Sequence, residues 1–167
     1  MTEPAVSELR IRQAVRALLV TDADEVMLVR FEFPNGTVWS TPGGGLEPGE
    51  DHLTALHREL IEEVGLTSPV ISHHVWNREH VTPHMDGLYD GQADRFYLVP
   101  TQRFDAMPAL GWEQLRAENL HEIRWWTFDE VAAATIAGTL FAPRRLGELL
   151  RTLATHDASI APIDTGI

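Results

Sequence analysis

Apolar residues recur at spacings of three and four from Leu53 through Leu56 and Leu60 to Val64, a stripe that predicts an amphipathic helix lying on a core. The same period puts Arg58, Glu59, Glu62 and Glu63 off the stripe, so the pattern predicts acids turned outward. Elsewhere the patterning is that of strands. Residues 12–20 are rich in β-branched and aliphatic types, 22–25 read as a turn, and 26–31 as the returning arm of a hairpin. Pro34, Asn35 and Gly36 signal a second turn, after which 37–40 form a short strand delivering Trp39 to a glycine-rich loop. Beyond Gly65, strands are expected over 70–76 and 95–99, separated by a polar segment containing His80, Pro83, His84, Asp86, Gly87 and Gly91. A further strand is expected over 123–128, a helix over 129–134, and a last helix opened by Pro143 and running to about residue 153.

Strands on either side of one long helix, with more helix near the end, predict an α/β or α+β fold in which a mixed β-sheet is covered on both faces. The 167 residues, 44% of them hydrophobic and 23% charged, suit a single domain over 1–167, with frayed ends expected at about 1–10 and 157–167. No repeat or second domain is visible. The formal net charge of −12 disfavours a nucleic acid polymer or an anionic membrane surface as partner, since both draw on lysine and arginine. A small anionic substrate remains compatible where metal ions and a few arginines reverse the field locally. The chain has no cysteine, which removes disulfides, thiolate metal sites and a cysteine nucleophile. Neither a signal-peptide pattern nor an apolar run of about 20 residues is present, and a cytoplasmic location is the expectation.

Candidate chemistry concentrates on the predicted helix. Glu59, Glu62 and Glu63 stand at i, i+3 and i+4, and like charges so placed cost a helix about 0.2–0.5 kcal/mol per pair. A bare triplet of this kind is usually a solvated face. With a cation bound, repulsion becomes attraction, and hard oxygen ligands in that number suit Mg²⁺ or Mn²⁺. The flanks favour a site: Pro42, Gly43, Gly44 and Gly45 allow backbone to approach a ligand, and Gly65 falls where a left-handed helix stop is wanted. Arg58 is placed to pair with Glu62 or Glu50.

The whole string resembles the signature of the Nudix hydrolase family, G-x5-E-x7-R-E-U-x-E-E-x-G-U with U aliphatic. Gly44, Glu50, Arg58, Glu59, Leu60, Glu62, Glu63, Gly65 and Leu66 fill every fixed position without a gap. The resemblance implies the α/β/α sandwich of those enzymes and hydrolysis of the diphosphate bridge in a nucleoside diphosphate linked to another moiety. It implies Glu59, Glu62 and Glu63 as metal ligands, the carbonyl of Gly44 as a backbone ligand, Arg58 as the residue that orients the carboxylates, and Glu50 as its supporting partner. Family members differ in the carboxylate that activates water; Glu62 and Glu63 are the nearest candidates. A glutamate outside the motif often completes the metal site, and among Glu113, Glu118 and Glu122 the choice falls on Glu118. Many relatives form dimers, so a homodimer is compatible.

Other residues carry less. His73 and His74 alternate across a predicted strand and do not share a face, which argues against a metal site made with His80 and His84. His57 reads as an exposed helix histidine. Of five tryptophans, Trp39 is the candidate to stack on a nucleobase because it directly precedes the glycine loop. Arg16 and Arg30 either meet phosphates or face solvent. Substrate choice is open among ADP-ribose, nucleotide sugars, dinucleotides and nucleoside triphosphates: Pro83 lies seventeen positions after Leu66, near the place of a proline in ADP-ribose hydrolases, while Thr82 and His84 leave no tyrosine of the dinucleoside polyphosphate type. The rival class is a catalytically silent sensor of a nucleotide metabolite; a diphosphate isomerase is disfavoured by the missing cysteine, and inositol pyrophosphates by only 13 lysines and arginines.

Overall fold

β1 (Ile11–Val20) and β2 (Glu25–Phe33) form the expected hairpin, but they pair only at its closed end, where Val20 faces Val26. The two strands then part. β2 takes β3 (Gly36–Ser40) and, later in the chain, β7 (Leu120–Thr127) as antiparallel neighbours. β1 runs parallel to β6 (Gly91–Pro100) on one edge, and on the edge that β2 has left it accepts the short strand β4 (Gly43–Gly45). The computed structural model describes residues 8–83, 85 and 87–167. Of the frayed N-terminus expected, residues 1–7 lie outside it, as do His84 and Asp86.

β5 (His74–His80) lies antiparallel to β6, and the main path of the mixed sheet runs β8-β3-β2-β1-β6-β5-β9, with β8 at Phe141–Ala142 and β9 at Ile163–Asp164. β1 is apolar on both faces because both are covered. Val15, Ala17 and Leu19 pack under α1 (His52–Val64) with Leu56, Leu60 and Val64. Leu18 packs on the other face with Trp76, Phe96 and Trp126 beneath α3 (Phe128–Ile136) and α4 (Leu146–Leu150). This is the layered mixed-sheet α/β architecture that the patterning predicts.

Several expectations shift. The strand expected over 70–76 begins only at His74, and Val70 is exposed; a register irregularity follows between His74 and Trp76. Pro143 does not open a helix, because Ala142 is held in β8 beside Ser40 and α4 starts at Leu146. α3 is placed by Thr127, whose hydroxyl accepts from the Glu130 N–H while the Glu130 carboxylate accepts from the Thr127 N–H. The chain past His156 returns to the sheet as β9, with Thr165 buried, rather than ending frayed throughout. α2 (Trp112–Ala117), β4, β8 and β9 carry too few residues for a periodic signal.

Candidate active site

α1 is bounded by local chemistry. The Asp51 carboxylate accepts the Thr54 N–H at 2.8 Å at its start, and Gly65, at φ 76°, stops it with the Leu66 N–H returned to the Leu60 carbonyl. Its buried face is broader than the predicted stripe. Ala55, Leu56, Leu60 and Val64 are buried, Leu53 is exposed, and Glu59 and Glu63 are 7% and 3% exposed. The acids therefore do not all turn outward: two of the three point down at the glycine strand.

β4 explains why they can. At Gly44 a Cβ would stand 2.5 Å from Glu59 Oε1, so the carboxylate rests directly on glycine backbone. Gly43, at φ 144°, donates its N–H to Glu63 Oε2 at 3.0 Å, and its carbonyl accepts from Arg16 Nη1 at 3.1 Å on β1. A Cβ at Gly43 would lie 2.0 Å from the Val15 carbonyl oxygen. The glycine run is thus required by close approach.

Arg58 organises the acids. Its Nε and Nη2 grip Glu50 at 2.9 and 2.8 Å, Nη2 also donates to the Gly45 carbonyl at 3.1 Å, and Nη1 bridges Glu59 at 2.9 Å and Glu62 at 3.3 Å. This forked grip, with the Glu47 N–H behind it, holds the Glu50 carboxyl down to about 2. Arg58 in turn is pushed further up by Glu50. Burial pushes Glu63 up to about 8, helped by the charge of Glu59 and opposed by the Gly43 N–H and Arg16. Burial also raises Glu59, against the pull of Arg58. Glu118, exposed just past the end of α2, is raised by desolvation and by Glu62, and its charge acts on Glu63 as well.

The predicted residues thus come together: Gly44, Glu50, Arg58, Glu59, Glu62 and Glu63 form one linked cluster, with Glu118 in its field. Glu122 is instead paired to Arg30 at 3.0 Å, and Glu113 sits in the first turn of α2. Trp39 is a correction. It is 8% exposed and packs edge-on against Trp126 at 5.0 Å in the core beneath α3 and α4, so it offers no face to a base. His73 stacks on His156, and His74 on Tyr97. The sequence pattern leaves Arg16 unassigned; a single arginine inside the apolar run of β1 is the signal that it is buried and paired.

Among the described residues no three acids or histidines stand close enough to enclose an ion as they are placed, and Arg58 bonds both Glu59 and Glu62. The donor chemistry nevertheless fits a hard divalent cation. Burial presses both Glu59 and Glu63 toward the protonated form, with the charge of Glu62 adding to it at Glu59 and that of Glu59 at Glu63, and a metal ion relieves that pressure with the oxygen ligands it prefers.

The NUDIX domain profile matches residues 10–144. The chain belongs to the NUDIX family. RNA pyrophosphohydrolase of Roseobacter denitrificans is 30% identical over 109 residues, 59% of this chain and 68% of that protein. Among solved structures, a NUDIX hydrolase from Nitrosomonas europaea shares the fold at a TM-score of 0.63 and 20% identity, over 89% of this chain and 93% of its own. The NUDIX domain of Shewanella oneidensis NrtR, solved with ADP ribose, aligns at 0.61 and 18% identity over 90% of this chain and 92% of its own. As a Nudix pyrophosphohydrolase the chain falls in a family that acts on nucleoside diphosphate-linked substrates and generally uses divalent metals. No helix among the described residues is long and apolar enough to cross a membrane.

Proposed function

We propose that the chain is a Mg²⁺- or Mn²⁺-dependent hydrolase that cleaves the diphosphate bridge of a small nucleoside diphosphate-linked compound. The observation that carries this reading is the pair of buried carboxylates, Glu59 and Glu63, set against the backbone of β4. Glu59, Glu63, Glu62 and the Gly44 carbonyl would hold the metal, with Glu118 completing the set. The metal, when bound, neutralises charge on the bridge and makes its water more acidic. Arg58 keeps the carboxylates aimed, and Glu50 keeps Arg58 in place. Glu63 is tied to the Gly43 N–H and closed to solvent, which suits a ligand. Glu62, its side chain 31% exposed, is open to water, which suits the general base.

A second reading is favoured by the relatives named RNA pyrophosphohydrolase: the substrate is then the 5′-triphosphate end of an RNA. The net charge of −12 opposes holding a polymer, so the small compound is preferred. The silent-sensor alternative finds an echo in the ADP ribose complex of the NrtR domain, and the complete carboxylate set here supports catalysis instead.

The test is product analysis for ADP-ribose, nucleotide sugars, dinucleoside polyphosphates, nucleoside triphosphates and a short 5′-triphosphorylated RNA, each with Mg²⁺ and with chelator. Metal-dependent release of a nucleoside monophosphate from a small compound is expected. Turnover of the RNA alone would transfer the assignment to the second reading, and tight metabolite binding without turnover would transfer it to the sensor.

A further inference from the structure

The sheet face beneath α3 and α4 is apolar over only part of its area. Register across β1, β6 and β5 sets Arg12, Gln92 and His80 in one row and Ala14, Asp94 and Arg78 in the next; the third row holds Arg16 with Phe96 and Trp76, where the core begins. Asp94 is 1% exposed and accepts three hydrogen bonds. Its Oδ1 accepts from Arg16 Nε at 3.1 Å and Gln92 Nε2 at 2.9 Å, and its Oδ2 from Arg78 Nη1 at 3.2 Å.

Neutralising Asp94 does not account for the cations around it. Arg12 is left with a neutral acceptor, Gln92 Oε1 at 2.9 Å, and among the described residues it has no carboxylate at ion-pair distance. Arg78 Nε is buried without a hydrogen-bond partner. Arg16 and Arg78, their side chains only 12% and 16% exposed, share the one carboxylate, and Arg12 stands beside them without one. Burial and the charge of Arg16 both press Arg12 and Arg78 toward losing their protons. A cationic surplus held out of water in a chain of net charge −12 is costly unless an anion joins it.

Its position says which anion. The Arg12 guanidinium lies over Gly45, where a Cβ would stand 2.4 Å from Nη2, and Arg16 bonds the Gly43 carbonyl. The patch therefore abuts the same three-residue strand against which Glu59 of α1 rests, and the charges of Glu59 and Glu118 act on Arg12. Arg58, on the α1 side, is already committed to Glu50, Glu59 and Glu62. Guanidinium forks match phosphate oxygens.

We propose that Arg12 and Arg78 form an anion subsite for a phosphate group of the substrate outside the bridge that is cleaved, so that the enzyme favours compounds with three or more phosphates over those with two. Naming the ligand as substrate rests on the hydrolytic reading of the α1 carboxylates; the existence of the subsite does not.

The experiment is calorimetric binding of inorganic tripolyphosphate with chelator present, for the wild type, Arg12→Gln and Glu63→Gln, alongside KM for a nucleoside triphosphate and a nucleoside diphosphate sugar. Arg12→Gln breaks no ion pair among the described residues and is expected to melt like the wild type. Its affinity for tripolyphosphate should fall about tenfold or more, Glu63→Gln should bind at least as tightly as the wild type, and Arg12→Gln should raise KM for the triphosphate more than for the sugar. Arg12→Lys should recover part of the loss. No binding by the wild type, or equal binding by Arg12→Gln, overturns the subsite. Arginine-dependent binding with no turnover of any compound keeps the subsite and removes the hydrolytic reading.

Discussion

Glu63 is the residue on which the electrostatics of the site turn. Its ordinary value is 4.5 and burial lifts it to about 8, so the folded metal-free protein holds a proton there that the unfolded chain has already released. The sign follows from proton linkage: this group's contribution is most favourable below about pH 4.5 and is lost as pH rises toward about 8. Urea unfolding in chelator should therefore show wild-type stability falling between about pH 4.5 and about pH 8 relative to Glu63→Gln, which lacks the titration. Parallel pH profiles for the two proteins would remove the buried ionisation from the account. Added metal should oppose the fall, because binding requires the carboxylate deprotonated. The Nudix signature makes Glu59, Glu62, Glu63, Arg58 and Glu50 legible in the sequence alone. It does not show which of them is buried, since that depends on a strand contributed from outside the helix.

That strand is the element-scale lesson. The period of α1 assigns its acids to solvent because a 3.6-residue repeat sees only what the helix itself contains; it does not see three glycines brought beneath it by β4. β4 exists because β1 and β2 part after Val20 and Val26 and leave an edge of β1 open to Gly43, Gly44 and Gly45. Gly43→Ala places a methyl group 2.0 Å from the Val15 carbonyl oxygen and a side chain on a φ of 144°. A loss on the order of 1–3 kcal/mol or more is expected, with turnover falling alongside it as the Glu63 hydrogen bond goes. Denaturant titration of Gly43→Ala checks this, and unchanged stability would mean that β4 tolerates displacement from β1. Trp39 shows the converse error: proximity in sequence to the glycine loop suggests a ligand contact, while strand alternation sends the side chain to the opposite layer against Trp126.

At the scale of the molecule, the long periodic or alternating segments β1, β2, β3, β6, β7, α1 and α3 are readable from the chain, and so is a mixed sheet covered on both faces. The pairing order is not, because it rests on non-local contacts such as β1 beside β6 and β9 beside β5. The charge balance likewise reads differently in total and in place: −12 overall, yet a carboxylate cluster and an arginine patch flank one glycine strand. The proposed subsite would have one phosphorylated substrate engage both. The central claim is that the α1 carboxylates carry out a metal-dependent cleavage. It is tested most directly by turnover of the best substrate by the wild type, Glu62→Gln and Glu63→Gln, with Mg²⁺ and with chelator, on proteins confirmed folded by their melting curves. Turnover that needs metal and falls on the order of 10²-fold or more in each variant is the predicted result; wild-type rates in both variants, or equal rates in chelator, would contradict it.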